Sequence, residues 1–310
     1  MRRLLLLALL LPSIVWGDDN RAVLYDGYGS SERFMIEGRV VEIDKRSTAK
    51  DDDAWYKNLW RSVRTLKNDE QDGVKLRLTV GSNAADAISD EEGYFRVSIT
   101  PARPMPGGWH PVTVQGKRTQ GSGQLLIVPK TNTLGVISDI DDTVLVSDVT
   151  NKNKLLKKTF LQNHKQRQTF PGTADFYRRL LAQNPEPQAA PMFYVSASPR
   201  QLSDNISAFL AHNHYPRGVL VTKLINGNGR DPLLDQQQYK LAKIEAIFTA
   251  LPWVKFILIG DDGERDPEIY RTLQEKHPQR VAAIYIRKVH PDPQRKAYAV
   301  QLDLASTSAP

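Results

Sequence analysis

Beyond residue 133 the chain carries five short, unbroken apolar runs: LGVIS (134–138), MFYVS (192–196), GVLVT (218–222), KFILIG (255–260) and VAAIYI (281–286). A strand with one wet face alternates apolar and polar residues, and these runs do not. They belong in a sheet covered on both faces, the usual setting of parallel strands. The residues between them repeat at helical spacing. Phe176, Tyr177, Leu180 and Leu181 mark a helix over 174–182. Leu202, Ile206, Phe209 and Leu210 mark another over 201–210, and Leu241, Ile244, Ile247, Phe248 and Leu251 a third over 239–251. Asp266 and Pro267 have the form of a helix cap followed by proline at the first helical position. This alternation predicts a doubly wound α/β domain over residues 134–290, built on a parallel sheet.

The preceding stretch, 18–133, follows a different rule. FMIEGRVVEI (34–43) alternates loosely. VKLRLTV (74–80) alternates cleanly, with Val74, Leu76, Leu78 and Val80 on one face. SDEEGYFRVSI turns at Gly93 into a strand, and HPVTVQG and GQLLIVP read as two more. Short strands separated by Gly and Asp turns predict a small all-β sandwich. One segment interrupts it. In DDDAWYKNLWRSVRTLKND (51–69), Trp55, Leu59, Trp60, Val63 and Leu66 recur at helical spacing among Lys57, Arg61, Arg64 and Lys67. Such a helix suits an anionic membrane surface; packing on the sandwich is the preferred expectation.

At the N-terminus, a basic start and a leucine run closed by Val15, Trp16 and Gly17 read as a signal peptide over 1–17. The apolar run is shorter than the ~20 residues of a spanning helix. Export to a periplasmic or secreted location is therefore expected, with 291–310 left as a C-terminal tail. The chain has no cysteine. Any metal must be held by oxygen or imidazole, and an oxygen-rich site favours a hard ion such as Mg²⁺. The six histidines show no zinc spacing beyond His212 and His214, which lack further ligands. A net charge of +7 is compatible with attraction to phospholipid head groups, and a nucleic-acid partner is not expected.

Ligands of open α/β sheets bind beyond the carboxyl ends of the strands. The first of these strands is followed by Asp139, Asp141, Asp142 and Thr143, the second reaches Ser196 and Ser198, and the fourth is followed by Asp261, Asp262 and Asp266. Lys240 opens the helix leading into the fourth. Carboxylates from two strand ends crowd together there, which a divalent cation relieves. A serine hydroxyl and a lysine ammonium beside them suit phosphate, and the set together points to phosphoryl transfer. Asp139 is placed to act as nucleophile. Asp141, two residues on, projects to the same side of an extended chain and serves as acid and then base. Ile140 points the other way.

The motif DIDDT resembles the first motif of the haloacid dehalogenase superfamily, FYVSASP its second, Lys240 its third and IGDDGERD its fourth. In order, GVISDIDDTV, FPG, FYVSASP and FILIGDDGERDPEIY resemble the catalytic domain of actin-patch-type Mg²⁺-dependent phosphatidate phosphatases, to which lipins are more distant relatives. GYG, GRV, the Trp-rich basic segment and DEEGYF resemble the β domain that accompanies it in bacterial members. The resemblance implies that Asp139 forms an aspartyl-phosphate and that Asp141 is the acid, then the base. It implies that Mg²⁺ is held by the Asp139 carboxylate, the Asp141 carbonyl and Asp261, with support from Asp266. Ser196 would bond a phosphoryl oxygen, with Ser198 nearby, Lys240 would neutralise charge, and Thr143 would brace the loop. Two positions are less settled. Relatives often carry a small residue where Asp262 stands, and it is expected to be a solvated neighbour rather than a ligand. Lys243 rivals Lys240, which fits the family spacing better.

Only about 30 residues separate Asp142 from Gly172, and that insert is basic, with Lys152, Lys154, Lys157, Lys158, Lys165 and Arg167. A short insert leaves the site open to bulky substrates, and a basic mouth suits a lipid phosphate at a bilayer surface; a solvated helix face accounts for the charges equally well. The expected activity is Mg²⁺-dependent hydrolysis of phosphatidate to diacylglycerol and phosphate. The alternatives are the same chemistry on a soluble or protein phosphomonoester, and a non-catalytic module binding anionic lipid.

Overall fold

A computed structural model describes residues 20–42, 72–145, 169–223, 236–289, 294–295 and 301–304. The expected signal segment, the Trp-rich stretch 51–69 and most of the basic insert lie outside these residues.

Eight strands form the first unit: β1 (Asn20–Leu24), β2 (Gly27–Ser30), β3 (Phe34–Glu42), β4 (Lys75–Val80), β5 (Asn83–Ile88), β6 (Tyr94–Ile99), β7 (Gly108–Gly116) and β8 (Thr119–Val128). Strand β3 pairs antiparallel with β6 on one side and with β1 and β2 on the other. The β1–β2 run also pairs, in parallel, with β8, which continues through β7 and β4 to β5. Two layers were expected, and this run joins them into one hydrogen-bonded path. The alternation of β3 and β4 explains the packing: Phe34, Ile36 and Val40 meet Leu76, Leu78, Val80, Val112, Val114, Leu125 and Ile127 in one core.

The second unit is a six-stranded parallel sheet, ordered β11-β10-β9-β12-β13-β14. Its strands are β9 (Leu134–Ser138), β10 (Met192–Pro199), β11 (Val219–Lys223), β12 (Lys255–Asp261), β13 (Val281–Arg287) and β14 (Gln301–Asp303). The five apolar runs are its first five strands. The sixth comes from the stretch read as a tail: QLD has no apolar run to announce it, and only its pairing with β13 makes it a strand.

Helices cover both faces. Helices α1 (Thr173–Leu181) and α2 (Ser203–His212) bury Phe176, Tyr177, Leu180, Ile206 and Phe209 against Val136, Tyr194 and Ile259. Helices α3 (Gln236–Ala250) and α4 (Asp266–Lys276) bury Ile244, Ile247, Phe248, Ile269 and Leu273 against Ile137, Phe193 and Leu258. Neighbouring residues of one strand thus enter opposite cores, which is why the runs carry no polar alternation. Strand β9 is central. From it the chain lays down β10 and β11 to one side and β12 to β14 to the other, so the ends of β9 and β12 open side by side at the switch in winding direction.

The first unit packs on the second through β8 and β2. Leu126 and Val128 face away from the β core into the cluster on the β10–β12 side, joined by Tyr28 and Trp109. The Arg200 guanidinium lies 3.8 Å over the Tyr25 ring and Arg217 lies 4.0 Å over Trp109.

Candidate active site

Asp139 directly follows β9. Its N–H continues the ladder to the Ile259 carbonyl on β12 at 2.8 Å, which fixes the backbone at the mouth of the sheet. Its carboxylate is buried, and Oδ1 accepts from Lys240 Nζ at 2.8 Å. The same ammonium donates to Asp266 Oδ1 at 2.7 Å and to Glu264 Oε2 at 3.2 Å. An ammonium has three donors, and all three are spent on carboxylates. Asp139 Oδ2 is buried and has no hydrogen-bond partner among the described residues.

Ile140 turns into the core, as the extended spacing requires, and Asp141 returns to the mouth. Asp141 Oδ2 accepts from Ser196 Oγ at 3.2 Å and Ser198 Oγ at 3.3 Å. Both serines lie at the carboxyl end of β10, and the Ser198 N–H donates to Ser196 Oγ at 2.9 Å, orienting the pair. Asp142 then takes φ +57°, a left-handed turn position that a short polar residue tolerates. Thr143 follows, its hydroxyl 3.5 Å from Asp261 Oδ2 and its carbonyl held by Arg287 Nε at 3.2 Å.

The end of β12 closes the site. Asp261 Oδ1 accepts the Gly263 N–H at 2.6 Å, and the Asp261 N–H points to Asp266 Oδ2 at 3.4 Å. Asp266 is the first residue of α4, and Arg265 rather than Asp266 stands at the cap. Its carboxylate faces inward to Lys240 instead of serving its own helix end. Gly260 makes this possible, because a Cβ there would lie 2.4 Å from Asp266 Oδ2.

Among the described residues, Asp139, Glu264 and Asp266 each place a carboxylate oxygen within 4.8 Å of the others, as a metal ion requires. Asp261 is not one of the three; its oxygens are turned to Gly263 and Thr143. Glu264 was not among the sequence candidates, although it stands inside the IGDDGERD motif. The remaining candidates fall where their roles can be compared. Lys240 reaches Asp139, whereas Lys243 lies 5.8 Å from the Tyr239 ring. Asp262 Oδ1 accepts the Val289 N–H at 2.7 Å, away from the cluster.

Burial first, and charge crowding after it, set the protonation. Burial raises Asp139 well above the usual carboxylate range, and Lys240 only partly opposes it. Burial likewise raises Asp266, and raises Asp261 to about 8 with Asp266 adding to it. Burial and then Glu264 raise Asp141 to about 7, against Lys240 and the two serine hydrogen bonds. For Lys240 burial acts downward, but Asp139, Asp266 and Glu264 together raise it well above normal, so it stays charged. An unpartnered buried oxygen within three clustered carboxylates is the environment that a hard divalent cation satisfies, and the donors are oxygen throughout.

A family profile described as phosphatidate phosphatase APP1, catalytic domain, matches residues 134–288. The chain belongs to this family. The matched span opens with β9 and closes one residue beyond β13, so it holds every site residue and none of the β unit. The chain is 32% identical over 155 residues to phosphatidate phosphatase APP1 of Saccharomyces cerevisiae, covering 50% of this chain and 26% of that protein. It is 30% identical over 162 residues to an uncharacterized protein of Schizosaccharomyces pombe, covering 52% and 26%. The chain thus spans about a quarter of the length of these relatives. Among solved structures, a chain in the Pnkp1/Rnl/Hen1 complex overlaps 51% of this chain and 47% of its own length, with a TM-score of 0.34 and 14% identity. That similarity is too low to carry an argument.

Proposed function

We propose that this protein is a Mg²⁺-dependent phosphatase of the haloacid dehalogenase type, with phosphatidate as its substrate and Asp139 as its nucleophile. The observation that carries the reading is the Asp139 carboxylate: one oxygen fixed by Lys240, the other buried and unpartnered. Asp139, Glu264 and Asp266 would hold the cation, with Asp261 beside them. The cation would offset phosphate charge and keep the carboxylates ionised.

Asp139 attacks phosphorus through one carboxylate oxygen, and the ester P–O bond to the glyceride breaks. Asp141, which titrates near neutral pH, gives its proton to the departing oxygen. The ionised Asp141 then removes a proton from water, whose oxygen attacks the aspartyl-phosphate and releases phosphate and free Asp139. Lys240 balances charge on the three carboxylates throughout. Ser196 and Ser198 hold Asp141 in place. The lipid part of the reading is supported by membership of a family described by its phosphatidate phosphatase member. The β unit as a separate domain and export through residues 1–17 belong to the same proposal; mature-protein mass spectrometry after expression with the full N-terminus tests the export.

Phosphate release by the full chain with Mg²⁺ is the decisive measurement. It should compare phosphatidate in mixed micelles, lysophosphatidate, sugar phosphates and phosphopeptides. Phosphatidate is expected to be preferred, and Asp139→Asn to lose release while unfolding as cooperatively as the wild type. Preference for sugar phosphates or phosphopeptides would remove the lipid substrate. Failure to release phosphate from any of them would remove the phosphatase.

A further inference from the structure

The loop that carries Glu264 and Asp266 has a second support, from outside the span that the family profile matches. Between Asp261 and Asp266 the chain places four carboxylates in six residues, and such a loop repels itself. Lys240 answers this from the inner side, through side chains. Arg295 answers it from behind, through the backbone. One of its terminal nitrogens donates to the Asp262 carbonyl, and the other to the Glu264 carbonyl at 2.6 Å. Its Nε donates to Glu268 Oε1 at 2.9 Å, in the first turn of α4. The guanidinium is a rigid planar fork, so holding two alternate carbonyls and the next helix at once sets the curvature of the loop. Two more contacts from the same C-terminal stretch reach this loop and helix: the Val289 N–H on Asp262 Oδ1 at 2.7 Å, and Gln301 Nε2 on the Pro267 carbonyl at 2.7 Å.

We infer that Arg295 is the positioning residue of the cation-holding loop: by fixing the Asp262 and Glu264 carbonyls it presents Glu264 and Asp266 to the cluster with Asp139. Its contacts are to the loop backbone and to Glu268, not to the carboxylates of the cluster. The inference rests on the cation-holding reading of that cluster.

Charge and geometry predict opposite signs here. A positive charge behind the loop repels a cation, so if Arg295 acted only as a charge its removal would tighten Mg²⁺ binding. If it acts as a fork, removal loosens binding. The test is calorimetric titration of the full chain with Mg²⁺, together with the Mg²⁺-dependent rise in unfolding temperature, for wild type, Arg295→Ala and Arg295→Lys. Both variants are expected to bind Mg²⁺ about 10-fold more weakly, the usual cost of losing a residue that orients a metal ligand. Lysine should fail to rescue because it keeps the charge and loses the fork. Activity at saturating Mg²⁺ should largely return. Unchanged or tighter binding in Arg295→Ala would overturn the inference. So would full rescue by lysine, or loss of cooperative unfolding in both variants, which would make the arginine a support of the whole chain. Absence of Mg²⁺ binding by the wild type would instead overturn the cation-holding reading and this inference with it.

Discussion

The two sheets of this molecule use polar residues in opposite ways. Away from its seam with the second sheet, the β unit keeps charge outside its core among the described residues. Arg77 and Asp86 pair across β4 and β5 with both side chains largely exposed, while Leu78, next to Arg77 on β4, is fully buried. In the parallel unit, Asp139, Asp266 and Lys240 are as buried as the leucines, gathered at one end of the sheet. The difference teaches where the free energy goes. The core of the β unit buries apolar area and, among the described residues, takes no charged side chain out of water. The parallel sheet holds ions out of water at its switch point, a costly arrangement that persists where chemistry uses it.

The sharpest way to break this comparison is at Lys240. Lys240→Met leaves three carboxylates with no internal cation. Loss of about 3–5 kcal/mol in urea unfolding of the Mg²⁺-free protein is expected, because breaking a buried ion cluster strands its remaining charges. Phosphate release should vanish even with Mg²⁺ added. An unfolding midpoint equal to wild type would mean that the cluster is not held by this ammonium.

In the other unit, Leu78→Ala should cost about 2–4 kcal/mol through the cavity it leaves. Phosphate release per folded molecule should stay unchanged at a temperature where the variant is native. A selective fall in turnover would show that the β unit shapes the site as well as flanking it.

A smaller effect is expected at the seam. Asp26 accepts the Leu220 N–H at 3.4 Å, and burial raises its carboxyl above the usual range, opposed by that hydrogen bond and by Arg217 and reinforced by Asp204. A carboxyl raised on folding contributes stability that is full below its unfolded pKa and is lost as pH rises through the folded one. Asp26→Asn should therefore match wild type in acid and gain on it as pH rises toward neutral, read as the difference in unfolding free energy across pH. A constant difference would show that Asp26 titrates normally. Smallest of all is Arg77→Ala, expected to change stability by no more than ~0.5 kcal/mol, as exposed pairs do. A shift several times larger in thermal unfolding would contradict the contrast between the two sheets.

Much of this was legible beforehand, for a physical reason. A strand covered on both faces must be apolar throughout, so the runs from LGVIS to VAAIYI announced five of the six parallel strands. The rule of ligands at strand ends then pointed to Asp139, Asp141, Ser196 and Asp261. The remaining elements carry no local signal. QLD becomes a strand only because β13 leaves an edge to pair with. NAADAI, half of it alanine, becomes β5 only beside β4. Glu264 is one acid among several in IGDDGERD, and nothing in that string says which of them turns inward.

By itself, then, the sequence determined most of the elements, the pairing class of the second sheet and the edge where the carboxylates gather, because hydrophobic periodicity is a local property. Only the tertiary structure decided which charges meet. Lys240 reaches Asp139 across 101 residues, and Glu264 rather than Asp261 completes the tight carboxylate trio, because strand order and the curvature of one short loop set the last few ångströms. Burial then raises the carboxylates, and burial is a property of the packed chain, which no residue carries in isolation.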